Sequence, residues 1–300
     1  MAKKKRLFCE ISPTTYAISL QKEILKRHIK NMLGKERFAK TIQSDRLPVV
    51  VSAQSNNMIK CGPGIDMKLQ ENKADNIRIA CGKINGLVVL PGESFSFWRQ
   101  VGKTSRKNGF AEGRVLVNGK LVAGLGGGLC NLANTINLLV LHSPLTITEL
   151  HHHSDALAPD PNGIRIPYSA GTSVNYNFLD YRFRNDTSQP VQLCTWCEDD
   201  DLRLRRRSDE TMSDGLPPRT AVLHAELRTT VEYPNTYRLV EEDHHFRKEE
   251  NGKYYRVSKI YRETISRATG EVVNRELSWK NHSEVMFDES LIPPTLIRDM

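Results

Sequence analysis

A cysteine that opens a helix just behind three glycines, with three histidines 21 to 23 residues further on, has the spacing of a nucleophile site. Gly126-Gly127-Gly128 lets the backbone take positive φ or approach a ligand closely. The run Leu129 to Leu141 then reads as a helix of about three to four turns with Cys130 in its first turn. At 100° per residue, Leu132, Ile136, Leu139 and Val140 form one apolar stripe, and Cys130, Asn134 and Asn137 line the nearly opposite face. Unpaired N–H groups and the positive end of the macrodipole favour a thiolate there, so a lowered thiol pKa is expected. A free cysteine at a helix start can also simply fill space beside a glycine-mediated packing contact.

The histidines bear on that choice, because a cysteine nucleophile needs a base within hydrogen-bond reach. Ser143-Pro144 ends the helix, and the chain returns as an extended run through Leu145-Thr146-Ile147-Thr148 into His151-His152-His153-Ser154. Alternate side chains of a strand share a face, so His151 and His153 should point together and His152 away. Cys130 would then attack a carbonyl while His153 takes the thiol proton and returns it to the leaving amine. His151 or the strand residue Asp180 would orient the base, an exposed strand aspartate being the plainer reading of Asp180. Backbone N–H groups from Gly128 to Asn131 would bind the oxyanion, Gly126 and Gly127 would leave room for substrate, and Asn134 would line the pocket.

The motif Gly126-Gly127-Gly128-Leu129-Cys130 followed by His151-x-His153-Ser154 resembles the VanW family. Leu90-Pro91-Gly92-Glu93-Ser94-Phe95-Ser96-Phe97, Val101-Gly102 and Gly109-Phe110 are similar to its opening motif, and Asp180-Tyr181-Arg182-Phe183-Arg184-Asn185 to its closing one. The resemblance runs from about residue 75 to 205 and implies a glycopeptide-resistance (vancomycin) context. It also implies L,D-transpeptidase-like or peptidase chemistry through a cysteine on peptidoglycan stem peptides or precursors. The sequence departs from the family pattern at Asn131, Ala133-Asn134, Asn137-Leu138 and Gly171-Thr172-Ser173, which changes the polar lining of the site. The competing reading is a non-catalytic binding or accessory protein on the same fold.

Three hundred residues, 39% hydrophobic and 26% charged, are enough for a sizeable core and about two domains. The +8 formal charge is local: residues 1 to 50 hold 12 Lys/Arg against 4 Asp/Glu, and the other 250 balance at 31 against 31. Basicity is therefore not a groove-lining property, which argues against nucleic acid as a partner. Six cysteines at scattered spacings suggest reduced thiols, and with no apolar run of 18 residues a cytoplasmic location is expected. Cytoplasmic precursors are then the accessible substrates. Cys194-Thr195-Trp196-Cys197 has redox spacing, but it ends a strand before an acidic run instead of opening a helix; a zinc site there would need two further ligands. No metal and no cofactor are expected.

The elements that must position these residues follow from periodicity. Residues 17–43 read as an amphipathic helix with Ile18, Leu25, Ile29 and Met32 on one face and Glu23, Lys26, Arg27 and Lys30 on the other. It either packs on the main domain or makes weak contact with an anionic membrane surface. Then come a strand at 49–51, a helix at 71–83 with Cys81 facing the core, a strand at 87–90, core aromatics Phe95, Phe97 and Trp98, and a hairpin at 114–123 turning on Asn118-Gly119. Strands at 164–168, 172–184 and 190–197 frame the site, and four more between 220 and 286 form a meander. The expected fold is α+β, a mixed or antiparallel sheet with a cysteine-bearing helix. Its expected units are a basic amphipathic segment (1–48), a VanW-like domain (49–207) and a β-rich C-terminal unit (220–300).

Overall fold

The computed structural model describes residues 7–61, 65–117, 120–153, 155–156, 171–176, 178–199 and 220–298. The turn Asn118-Gly119, Ser154, the strand expected at 164–168 and the charged linker of 203–219 lie outside these residues.

The fold is α+β, as the periodicity requires. Helices α1 (Pro13–Leu33), α2 (Met67–Ile84), α3 (Phe97–Val101) and α4 (Leu129–Leu141) are interleaved with strands β1 (Thr41–Ile42), β2 (Val49–Asn57), β3 (Leu87–Val89), β4 (Ser94–Ser96), β5 (Glu112–Val117) and β6 (Lys120–Leu125). After α4 come β7 (Thr146–Glu149), β8 (Asp155–Ala156), β9 (Arg182–Arg184), β10 (Val191–Asp199), β11 (Ala221–Thr229), β12 (Asn235–Lys248), β13 (Tyr254–Ser266) and β14 (Val272–Val285).

The main sheet is antiparallel in the order β1-β3-β10-β11-β2. Its strand β11 alternates buried and half-buried residues, so Leu223, Ala225 and Leu227 point at the helices. Both α2 and α4 pack on this sheet and on each other. The core collects Ile77, Ala80, Cys81 and Ile84 from α2 with Leu132, Ile136, Leu139 and Val140 from α4. All four residues of the apolar stripe read from 129–141 are fully buried. β11, the first strand after the linker, is thus laid into the main sheet, while β12-β13-β14 form a second antiparallel sheet that β8 joins in parallel.

A third sheet, β4-β9-β7, brings the segment before the histidines beside the Arg182–Arg184 strand. Phe95 stacks on Phe183 at 5.0 Å across it, and Phe97 and Trp98 are buried. Residues 172–184 do not form the one long strand expected. The amides of Phe178 and Leu179 both donate to the Asn175 carbonyl, at 3.0 Å, and the chain reverses before β9. The first helix begins at residue 13 instead of 17, because Ser12 and Thr15 form a reciprocal capping box with Pro13 at N1, and it ends at Gly34.

Candidate active site

The chain passes from β6 into α4 through Gly126 (φ 74°), Gly127 and Gly128 (φ 103°). Two left-handed residues make this turn, a conformation that costs glycine little. Buried Asn76 pins it: its Nδ2 donates to the carbonyls of Gly127 and Ala111, each at 3.0 Å, while its Oδ1 accepts from Ala111 N–H at 2.9 Å. The space the glycines leave is filled by the protein itself, contrary to the expectation of room for substrate. A Cβ at Gly127 would lie 2.3 Å from the carbonyl carbon of Gly113, and one at Gly128 2.3 Å from Lys73 Cγ. A Cβ at Gly126 would meet Thr104 at 2.6 Å. Gly128 provides no side-chain cap for α4, and the Asn131 amide folds back onto the Gly128 carbonyl at 2.9 Å. α4 therefore begins without an N-cap side-chain acceptor for its first amides.

Cys130 sits in that first turn, and its thiol donates to the Val174 carbonyl at 3.7 Å. Four residues along α4, Asn134 Oδ1 accepts from Thr172 N–H at 3.3 Å. Four helical residues rise about 6 Å and two extended residues about 6.6 Å, so 171–174 lies along the polar face of α4 in near register. Two of the departures from the family pattern, Asn134 and Gly171-Thr172, meet at this contact. The other edge of the same segment holds the histidines: His153 N–H donates to Gly171 O at 3.1 Å, and Ser173 N–H to His151 O at 2.7 Å. One extended segment is thus bonded to the Cys130 thiol on one side and to the histidine backbone on the other.

This cover changes the thiol. Burial pushes Cys130 above the ordinary thiol value, opposed by backbone hydrogen bonds at Val174 and Cys130 itself, so the helix-start lowering expected from position alone is overridden. The residue keeps partial exposure, and its sulfur contacts the Val174 carbonyl. Asn137, the third residue of the predicted polar face, is buried with Oδ1 unpaired.

The histidines diverge. His152 turns outward and stacks on Trp279 at 5.4 Å. His151 Nε2 meets Glu149 Oε1 at 3.0 Å. Glu149 is the centre of this cluster: Arg27 donates to both its oxygens at 2.5 Å, and Asp180 N–H donates to Oε1 at 3.1 Å. Burial alone would raise its pKa, but the hydrogen bonds from Arg27 and His151 hold it below the ordinary carboxylate value. Asp180 is buried and not the exposed strand residue of the plainer reading. Its carboxylate accepts from Ser96 Oγ at 2.6 Å, Trp98 N–H at 3.1 Å, Tyr181 N–H at 3.0 Å and Arg182 Nε at 2.7 Å. Its position ties α3 to β9, and His151 meets Glu149 instead of Asp180.

Glu149 stands two residues before His151, a same-face spacing in a strand, so period-two alternation carried its signal. Arg27 lies 122 residues away in sequence from its partner and carried none. Lys73 was also legible, four residues before Ile77 on the core-facing repeat of α2. Its side chain packs on Gly128, and burial followed by repulsion from Lys60 and Arg114 pulls its pKa down to about 8. The Cys194–Cys197 pair occupies β10, where three-residue spacing puts the two on opposite faces. Cys197 Sγ lies 3.8 Å from Cys81 Sγ instead. Among the described residues no group of three or more His, Cys, Asp or Glu could hold a metal ion, and no helix is long and apolar enough to cross a membrane.

The glycine turn, the cysteine helix and the histidine segment fall within residues 72–206, which match the family model described as VanW like protein, so this stretch is a VanW-like domain. The chain is 28% identical to the Vancomycin B-type resistance protein VanW of Enterococcus faecalis over 250 residues, covering 83% of this chain and 82% of that one. It is 30% identical to the uncharacterized protein YoaR of Bacillus subtilis over 123 residues, 41% of this chain and 39% of YoaR. No solved structure matches the chain.

Proposed function

We propose that this VanW-like protein acts in vancomycin resistance as a cysteine-dependent acyl transferase, resembling an L,D-transpeptidase or peptidase, on peptidoglycan stem peptides or their cytoplasmic precursors. The observation that carries the reading is the segment 171–174, hydrogen-bonded to the Cys130 thiol and to the backbone of His151 and His153. A thiol held protonated by burial must lose its proton as it attacks, which calls for a neighbouring base and not a free thiolate. In this mechanism His153 takes the Cys130 proton as the C–S bond forms. The oxyanion falls to the amides of the first turn of α4, and collapse expels the amine, which takes the proton back from His153. An acceptor amine or water then releases the acyl group. Glu149, fixed by Arg27, orients His151 beside the base.

The test is turnover of purified stem peptides. Cys130→Ala is expected to abolish product, and His153→Ala to lower kcat by about 10²- to 10⁴-fold. Full turnover by Cys130→Ala would sink the mechanism. The enclosure of the thiol favours one second reading, an accessory protein that binds stem peptides without converting them. In that case the wild type and Cys130→Ala bind the peptide equally and neither forms product.

A further inference from the structure

Helix α1 is fixed to the body by one face and leaves another uncovered. Leu20, Ile24, Arg27 and Asn31 are half-buried and share a single helical face. Arg27 holds Glu149 and donates to the Phe178 carbonyl at 3.1 Å, and Asn31 Oδ1 accepts from Arg182 at 2.8 Å. At 100° per residue Ile18, Leu25, Ile29 and Met32 fall within about 60° of one another, centred about 140° from the docked face. They are 55%, 60%, 43% and 76% exposed, and no α1 residue is fully buried. An apolar stripe of this length left in water is a binding surface in search of its partner.

The flank of the stripe says what the partner is. Lys22, Lys26 and Lys30 are exposed and follow one another along its border, with Glu23 the acid among them, bonded to Lys26 at 2.8 Å. Basic residues also dominate the sequence on both sides of the helix. A row of lysines beside an apolar stripe matches the boundary between anionic headgroups and acyl chains. A soluble partner's groove would more often present acids singly, opposite particular lysines.

We propose that α1 is an in-plane anchor that seats the protein on an anionic lipid bilayer. Ile18, Leu25, Ile29 and Met32 enter the acyl boundary while Lys22, Lys26 and Lys30 meet the headgroups. The opposite face keeps Arg27 on Glu149, so the Glu149–His151 pair is held about one helix diameter, ~10 Å, from the lipid.

The test is sedimentation of the full chain with vesicles of equimolar phosphatidylglycerol and phosphatidylcholine, against vesicles of phosphatidylcholine alone. Binding to the anionic vesicles is expected, weakened on the order of 100-fold in Lys22→Ala/Lys26→Ala/Lys30→Ala. Leu25→Glu/Ile29→Glu should not bind, and because both side chains are exposed its circular dichroism should match the wild type. Absence of wild-type binding to the anionic vesicles, or equal binding to both compositions, overturns the proposal. So does a wild-type dimer in light scattering that Leu25→Glu/Ile29→Glu converts to monomer without any vesicle binding, since the stripe would then belong to a second copy of the chain.

Discussion

Arg27 forks onto Glu149, with a guanidinium nitrogen 2.5 Å from each carboxylate oxygen, and so joins α1 to the strand that leads into the histidines. Both side chains are mostly covered, at 13% and 16% exposure, so removing the arginine leaves a carboxylate in poor solvent. Arg27→Met is expected to lose about 2 kcal/mol at neutral pH in urea denaturation. Glu149 has a folded pKa below its unfolded one, so the stability it contributes is present at neutral pH and is lost as pH falls through the folded value. The gap between wild type and variant should therefore close on acidification. A constant gap from neutral pH to below the ordinary carboxylate range would show that the ion pair is not its source.

Asp180 is buried and Glu149 half-buried, both near the histidines, but their partners assign them different work. Asp180→Asn removes the charge facing Arg182 and weakens the join between α3 and β9, so a stability loss of about 3 kcal/mol is expected with little change in the pH profile of activity. Glu149→Gln weakens the hydrogen bond to His151 and should shift that profile. If Asp180→Asn moved the profile and Glu149→Gln did not, the orienting role would revert to Asp180.

Most elements were legible because period and punctuation agreed. The stripe Leu132, Ile136, Leu139 and Val140 located the helix and its buried side, and Gly126 and Gly128 adopt the positive φ that glycine permits at the turn before it. The position of Cys130 in a first turn was readable too, but its environment was not: the segment 171–174 that covers it lies some 40 residues downstream, and nothing local announces the contact. The same holds for the glycines, whose spacing fits both a ligand cradle and a close backbone approach; only the contact with Gly113 decides between them. The helical period of α1 gave two faces, and it did not reveal that the face of Leu20, Ile24, Arg27 and Asn31 would dock while the stripe of Ile18, Leu25, Ile29 and Met32 stayed in solvent.

Lys73 makes a separate prediction through its charge. Its pKa falls from an ordinary 10.5 to about 8. Between those values the unfolded chain holds a proton that the folded chain has lost, so stability should rise as pH goes from about 8 to 10. Lys73→Met should lack that rise and be more stable than wild type at pH 7, on the order of 2 kcal/mol. Equal pH slopes for the two proteins in urea denaturation would mean that Lys73 is solvated as an ordinary lysine.

Thiol reactivity tests the cover over Cys130 directly. Cys61 is exposed, whereas burial raises Cys130 and Cys194, and hydrogen bonding to Cys197 followed by burial raises Cys81. Because the thiolate is the reactive species, iodoacetamide should alkylate Cys61 of the native protein at pH 7 roughly tenfold or more faster than Cys130, and Cys81 only after unfolding. Mass-spectrometric mapping across pH reads every cysteine at once. Asn134→Ala removes the acceptor that holds Thr172 over the helix and should speed labelling of Cys130 while leaving Cys61 unchanged. Should Cys130 instead label as fast as Cys61 below pH 7 in the wild type, the helix start would outweigh burial, and the thiolate would be formed before any substrate arrives.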